Sequence, residues 1–265
     1  MQSILRKAAT LLLLRDAPAG GLEVLMVRRD PKAAFGPGAM VFPGGVLDAA
    51  DGTPEMEACS AGLTMAGARA AITDAESPAE ALGLHVAAIR ETFEEIGLLL
   101  ARTPNGQWWR PENGGASLGA LQQTIAETPA SFAPWLAQSE LALSTGELVY
   151  FAYWITPEGL PLRFATRFFM AEYQEEAEIR PDNSEIVGHA WLRPHDALRD
   201  DEEGRLHLMD PTRITLQWLT AHQSAAEALA AYRGKDIPPI MPKIIWEEKE
   251  RKEVLFPWDD GYDEI

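Results

Sequence analysis

Two apolar runs open the chain. Ala8–Asp16 reads AATLLLLRD and Leu22–Asp30 reads LEVLMVRRD, with APAGG between them. Apolar runs of this length around a Gly/Pro turn predict two strands paired as a hairpin. VFPGG, residues 41–45, predicts a short strand ending in a turn. Pro43 fixes its own backbone there, while Gly44 and Gly45 permit positive φ. Residues 52–76 have no steady period and many small residues, so they read as an insertion with one short helix.

A helix starts after that insertion. Ser77 is a capping residue, Pro78 suits the first helical position, and Glu80 completes an S-x-x-E box. Gly97 supplies the stop. Further on, LGALQQTIAE and FAPWLAQSELAL predict short helices, and residues 103–117 a loop. ELVYFAYWITP and TRFFMAEY predict strands, QEEAEIRPDN an acidic loop, and EIVGHAWLRPHDAL a strand turning into a helix. Residues 210–232 predict one long helix, with Asp210 as cap and Pro211 behind it. From Gly234 the chain is rich in proline and charge, with Trp246, Phe256 and Trp258 as anchors. Strands alternate with helices after an antiparallel start, which predicts a mixed sheet covered by helices.

Composition narrows the class. Hydrophobic residues make up 46% of the 265 and charged residues 24%, ordinary for a globular protein. The formal net charge of -17 repels phosphate backbones and argues against general nucleic-acid binding. The single cysteine, Cys59, excludes an intramolecular disulfide and a cysteine-based zinc site, and points to a reducing compartment such as the cytoplasm. The run Ala8–Leu14 is too short for a membrane span, and Arg15-Asp16 end it without a cleavage site.

The chemistry concentrates on the helix after Ser77. At about 100° per residue from Arg90, Glu94 lies near 40°, Glu91 near 100° and Glu95 near 140°. Leu82, Val86, Ile89, Phe93 and Ile96 lie opposite, so the helix is expected to pack by one side and turn three acids to solvent. A solvated acidic face explains such a pattern without any function. Yet Glu91 stands three and four residues from Glu94 and Glu95, where like charges cost a few tenths of a kcal/mol each. A divalent cation converts that repulsion into coordination, and hard oxygen donors suit Mg²⁺ or Mn²⁺. Arg90 reads as a partner that holds a carboxylate rotamer. The five histidines show no common ligand spacing, and Trp108-Trp109 read as loop packing rather than a base-stacking platform.

RETFEEIGL, Arg90–Leu98, resembles the second half of the Nudix box, G-x5-E-x7-R-E-U-x-E-E-x-G-U. Gly45 and Asp51 resemble the first half, with Asp for Glu. Thr92 departs mildly at the first aliphatic position. The main departure is length: 38 residues, Gly52 to Ile89, stand where the box has seven. Loop-closure entropy grows slowly with length, so an insertion of about 31 residues is tolerable. The split box is similar to that of the Nudix branch that includes a peroxisomal coenzyme A diphosphatase.

The resemblance implies a Nudix fold, an α/β/α sandwich with a mixed central sheet. The Nudix domain would span residues 1–220, with an insertion at 52–77 inside the box. Residues 221–265 would form a C-terminal helical extension and acidic tail. It also implies a diphosphatase acting on a small nucleotide-linked molecule, with Mg²⁺ or Mn²⁺ on Glu91, Glu94, Glu95 and the Gly45 carbonyl. Glu91 and Glu185 are the candidates for general base. Arg28, Arg29, Gly44 and Gly45 are candidate substrate contacts, one arginine rather than both. No membrane partner is expected, and homodimers are frequent in the family. LMVRRDPKAAFGPGAMVFPGG follows a coenzyme A diphosphatase pattern at Leu25, Arg29, Gly38 and Phe42–Gly45. It departs at Asp30, where a small residue is expected, and at Ala34, where an arginine is. Coenzyme A or an acyl-coenzyme A is the favoured substrate, with ADP-ribose or a dinucleotide next. A non-catalytic nucleotide-binding module is the alternative of another class.

Overall fold

The computed structural model describes residues 4–33, 35–111, 116–173, 179–182, 185–247 and 250–264. Ala34 and most of the acidic stretch 174–183 lie outside them. The first half contains strands β1 (Leu5–Asp16), β2 (Leu22–Arg29), β3 (Met40–Val41) and β4 (Gly44–Val46), helices α1 (Pro54–Ala58), α2 (Met65–Ala71) and α3 (Pro78–Ile96), and strand β5 (Ala101–Arg102). Helices α4 (Ala116–Glu127) and α5 (Phe132–Gln138) follow, then strands β6 (Ala142–Leu143), β7 (Val149–Ile155), β8 (Arg163–Glu172) and β9 (Ile186–Leu192). The chain continues through α6 (Pro194–Glu202), α7 (Asp210–Leu219), α8 (Ala225–Tyr232), β10 (Pro239–Ile240), β11 (Lys243–Glu247) and β12 (Glu250–Leu255).

The main sheet has the order β10-β7-β8-β1-β2-β3, with β4 also on β1 and β9 also on β2. It is mixed: β1 runs parallel to β8, while β2 and β4 are antiparallel to β1. The predicted hairpin forms, with Leu14 opposite Val24. The four leucines of β1 have a simple cause. Successive side chains on a strand point to opposite faces, and this strand is buried on both. Leu11 and Leu13 enter a core with α3, α4 and α5, while Leu12 and Leu14 enter a second core with α6, α7 and α8. The result is a sheet between two helical layers.

Helix α3 begins and ends where its sequence indicates. The Ser77 hydroxyl accepts from the Glu80 amide, and Gly97 closes the helix at φ 71°. Only half of the capping box forms, because the Glu80 carboxylate pairs with Lys7 on β1. The long helix expected over 210–232 is broken into α7 and α8. Ser224 caps α8 by accepting from the Glu227 amide, so SAAE restarts the helix. Met209, not Asp210, is the N-cap of α7.

Residues 53–77 form α1 and α2 outside the main sheet. They are not mere decoration: Met56, Ala68 and Ile72 are fully buried in the core under α3. Beyond residue 240, β11 and β12 form their own two-stranded sheet. Phe256 packs on Trp154, and Trp258 packs on Trp218 and Phe256. Trp246 is exposed. Among the described residues no helix is long and apolar enough to cross a membrane.

Candidate active site

The two halves of the split motif meet at a turn packed on the C-terminal half of α3. The turn is β4 followed by a 3-10 helix at Ala49–Gly52. Asp48 caps that helix, and the Asp51 carboxylate accepts from the Asp48 amide at 2.9 Å. The turn can lie this close because two glycines leave room. A side chain on Gly52 would strike the Ala79 carbonyl, and one on Gly83 would reach Leu47 at 2.9 Å.

Arg90 joins the halves. Its Nε and Nη2 donate to the two Asp51 carboxylate oxygens at 2.8 and 2.9 Å. Nη2 also donates to the Val46 carbonyl, and Nη1 to Glu91 and Glu94 at 3.0 and 2.8 Å. The sequence pattern singled out the Arg90–Glu94 contact. It did not reveal that Asp51 is the principal partner of Arg90, or that this aspartate is fully buried. The signal was available: an acid placed after FPGG at box spacing, which needs a cation once buried.

The acidic face is not turned to solvent as the helical wheel suggested. Glu95 is 7% exposed, and Glu91 and Glu94 are partly buried under the turn. Glu95 Oε2 accepts from the Gly44 amide at 3.1 Å. Gly45 rests on Glu91 so closely that a Cβ would collide with the carboxylate. A wheel identifies a face of a helix but not what covers it.

The remaining acid comes from the segment before β9. The amides of Arg180 and Asp182 donate to the carbonyls of Ile96 and Glu95, closing the end of α3. Asp182 in turn accepts from the amides of Glu185 and Ile186. This fixes Glu185 near the helix end, where its charge raises the pKa of both Glu94 and Glu95. Arg29 acts on Glu95 in the opposite sense, and its Nε holds the Phe35 carbonyl at 3.0 Å. Arg28 is exposed, and strand alternation aligns it with Val24 and Met26 of the second core. The structure therefore gathers Gly44, Gly45, Arg29, Arg90, Glu91, Glu94, Glu95 and Glu185, and leaves Arg28 on the other face. Trp109 packs on Phe93 and Trp135, as loop packing requires.

Charge is out of balance here. Burial, reinforced by Glu94, pushes Glu91 up to about 7 against the pull of Arg90. Burial and the Glu91 charge push Glu95 well above the usual carboxylate range. Glu94 and Asp51 are raised by burial too. The buried Arg90 guanidinium faces three carboxylates, Asp51, Glu91 and Glu94, while Glu95 accepts from the Gly44 amide. Among the described residues no three His, Cys, Asp or Glu side chains converge as a metal cage. Glu91 and Glu94 are turned to Arg90, and Glu95 to the Gly44 amide. The donor set nevertheless fits a hard divalent cation, since it offers several carboxylate oxygens in a buried acidic turn short of positive charge.

Comparison with known proteins identifies the family. The family model described as the NUDT19 Nudix domain matches residues 5–219. Acyl-coenzyme A diphosphatase NUDT19 of Homo sapiens is 30% identical over 214 residues, covering 69% of this chain and 56% of that protein. Its Gallus gallus counterpart is 30% identical over 252 residues, covering 78% of this chain and 65% of that protein. The chain thus spans less than two thirds of the length of either relative. A crystal structure of a Nudix hydrolase from Alicyclobacillus acidocaldarius superposes with a TM-score of 0.71 at 31% identity, covering 88% of this chain and 99% of that one. With the split box closed by Arg90 and Asp51, this chain belongs to the Nudix hydrolases, in the family of the NUDT19 Nudix domain.

Proposed function

We propose that the protein is a metal-dependent diphosphatase that cleaves coenzyme A or an acyl-coenzyme A to 3′,5′-ADP and (acyl-)phosphopantetheine. The observation that carries this reading is the closed acid–arginine turn in a chain 30% identical to relatives named acyl-coenzyme A diphosphatase. Glu91, Glu94, Glu95 and the Gly45 carbonyl would hold Mg²⁺ or Mn²⁺. When bound, such a cation neutralises diphosphate charge and lowers the pKa of a coordinated water.

The chain's own residues do the rest. Arg90 holds Glu91 and Glu94 in place and is itself anchored by Asp51 and the Val46 carbonyl. The Gly44 amide orients Glu95. Arg29, the cation beside Glu95, suits a diphosphate oxygen. Glu91 and Glu185 are the two carboxylates suited to accept the proton of the attacking water. Glu91 is partly buried and held by Arg90, whereas Glu185 is exposed on a segment anchored by Asp182. The free, buried Cys59 fits a reducing compartment such as the cytoplasm.

One departure supports a second reading. Ala34 stands where the coenzyme A diphosphatase pattern has an arginine, and coenzyme A carries an extra 3′-phosphate that such a cation would bind. ADP-ribose or a dinucleotide of the NADH type is the alternative substrate. The test is kcat/KM for coenzyme A, an acyl-coenzyme A, dephospho-coenzyme A, ADP-ribose and NADH under one metal condition. Coenzyme A or its acyl ester should be best. If both are tenfold or more worse than another substrate, the coenzyme A assignment fails and the hydrolase reading stands. No metal-dependent turnover of any of the five would leave the nucleotide-binding module.

A further inference from the structure

The segment before β9 is fastened to the acidic end of α3 at several points. The last four carbonyls of that helix all have partners. Gly97 and Gln122 donate to Phe93, and Gln122 donates also to Glu94. The amides of Asp182 and Arg180 donate to Glu95 and Ile96 at 2.9 and 2.8 Å. The main chain of Asp182 is thus tied to the main chain of Glu95, one of the acids suited to the cation.

The side chain of Asp182 holds a different acid. Its Oδ2 accepts from the Glu185 amide at 3.1 Å, and its Oδ1 from the Ile186 amide at 3.0 Å. Each carboxylate oxygen takes one amide, where asparagine would offer a single oxygen. The Glu185 carbonyl accepts from the Asp30 amide at 2.9 Å, next to Arg29. Ile186 is fully buried and opposite Arg29 in the sheet. The backbone of Glu185 is therefore fixed on both sides, while its side chain is exposed. Its charge still reaches Glu94 and Glu95. A fixed backbone under a free carboxylate suits a group that must meet a water at a set place, because small misplacements of a reacting group cost rate steeply.

We propose that Asp182 is a positioning residue for Glu185. It couples the backbone of that acid to the backbone of Glu95, and so sets where the Glu185 carboxylate meets the attacking water. This role rests on the reading of Glu185 as the proton acceptor. The water oxygen bonds to phosphorus as its proton passes to the Glu185 carboxylate. The bridging P–O bond breaks, and the leaving phosphate takes that electron pair. Asp182 acts only through Glu185.

The test is a double-variant cycle on steady-state hydrolysis of the best of the five substrates above, in saturating Mg²⁺ or Mn²⁺. Glu185→Gln should lower kcat about 100-fold. Asp182→Ala should lower kcat about tenfold or more and change KM less than about threefold, since it displaces a carboxylate and leaves the substrate contacts in place. In the Glu185→Gln background the same substitution should change kcat less than about twofold, because no acceptor remains to displace. Asp182→Asn keeps one acceptor oxygen and should fall between wild type and Asp182→Ala, again only where Glu185 is present. It carries the same comparison if Asp182→Ala is too unstable to assay. An equal fall in kcat in both backgrounds marks a structural residue and overturns the proposal. So does a loss confined to KM, or wild-type kcat in Asp182→Ala while Glu185→Gln is slow. Wild-type kcat in Glu185→Gln removes Glu185 as acceptor and this role of Asp182 with it, and leaves the hydrolase reading standing.

Discussion

Arg90 grips Asp51 through two parallel hydrogen bonds, at 2.8 and 2.9 Å, across 39 positions of sequence. Both side chains are almost wholly buried, at 3% and 1% exposure. Breaking such a pair leaves an uncompensated charge inside the protein and costs about 3–5 kcal/mol. Arg90→Ala should therefore lose stability as well as activity, beyond the ~10–100-fold kinetic loss of a residue that only orients ligands. Chemical denaturation of wild type and variant measures this. Equal unfolding midpoints would show that the pair is not structural.

Glu94→Gln and Glu95→Gln separate chemistry from folding. Both keep the shape of the side chain and remove one negative charge from the turn. Turnover should fall nearly to background while circular dichroism stays unchanged. Full activity in both variants would remove this helix from the catalytic reading.

Glu91 ties function to a stability cost. Its folded pKa, about 7, lies above the ordinary carboxylate value, 4.5. For a raised acid, the folded state holds a proton that the unfolded state has released. Metal-free stability is therefore lost as pH rises from about 4.5 through 7, by on the order of 3 kcal/mol at most. In chelator, Glu91→Gln should melt higher than wild type at pH 8 and show no such advantage near pH 4. A lower melting temperature at pH 8 would contradict the assignment.

His85 has the opposite sign. It is buried, its Nδ1 is 2.8 Å from the Ala81 carbonyl, and burial lowers its pKa to about 4. The unfolded chain takes up the proton first, so this stability is complete above about 6.5 and is lost as pH falls toward 4. Relative to His85→Leu, the wild-type protein should lose roughly 2 kcal/mol between pH 8 and pH 5. Parallel stability–pH curves for the two proteins would refute it.

Gly45 has an ordinary backbone, so its requirement for glycine is steric. A methyl group there meets the Glu91 carboxylate. Gly45→Ala should lower turnover and raise the metal concentration needed for half-activity, each ~10-fold or more. Wild-type metal dependence would show that the turn yields freely.

Much of this was legible in the sequence, for local reasons. Ser77, Pro78 and Gly97 mark the ends of α3 because capping depends on a few adjacent residues. The spacing of Arg90, Glu91, Glu94 and Glu95 survives on one helix for the same reason. Glu185 could be named as an acid, but not placed, because its position depends on residues 180–182 closing the end of α3. Strands as short as β5 and β10 carry no period of their own; their partners create them. The break before α8 was visible in Ser224 and Glu227, and the apolar run on either side obscured it. Box spacing marked Asp51 as an acid that would need a cation once buried, but the burial itself depends on a turn and a helix packing together through Gly52 and Gly83.

The pairing of β1 with β8 sets an order of events for the nascent chain. Leu5 meets Arg163 and Leu14 meets Glu172, so β1 finds its parallel neighbour only when the chain 158 positions further on has emerged. Until then its leucine-rich edge is open on one side, shielded only by β2 and β4. Contacts this distant in sequence form slowly, and open apolar edges attract other chains. Translation halted before β8 should therefore yield a sticky fragment, and a complete chain should need a holding partner at the ribosome until Glu172 has cleared the tunnel.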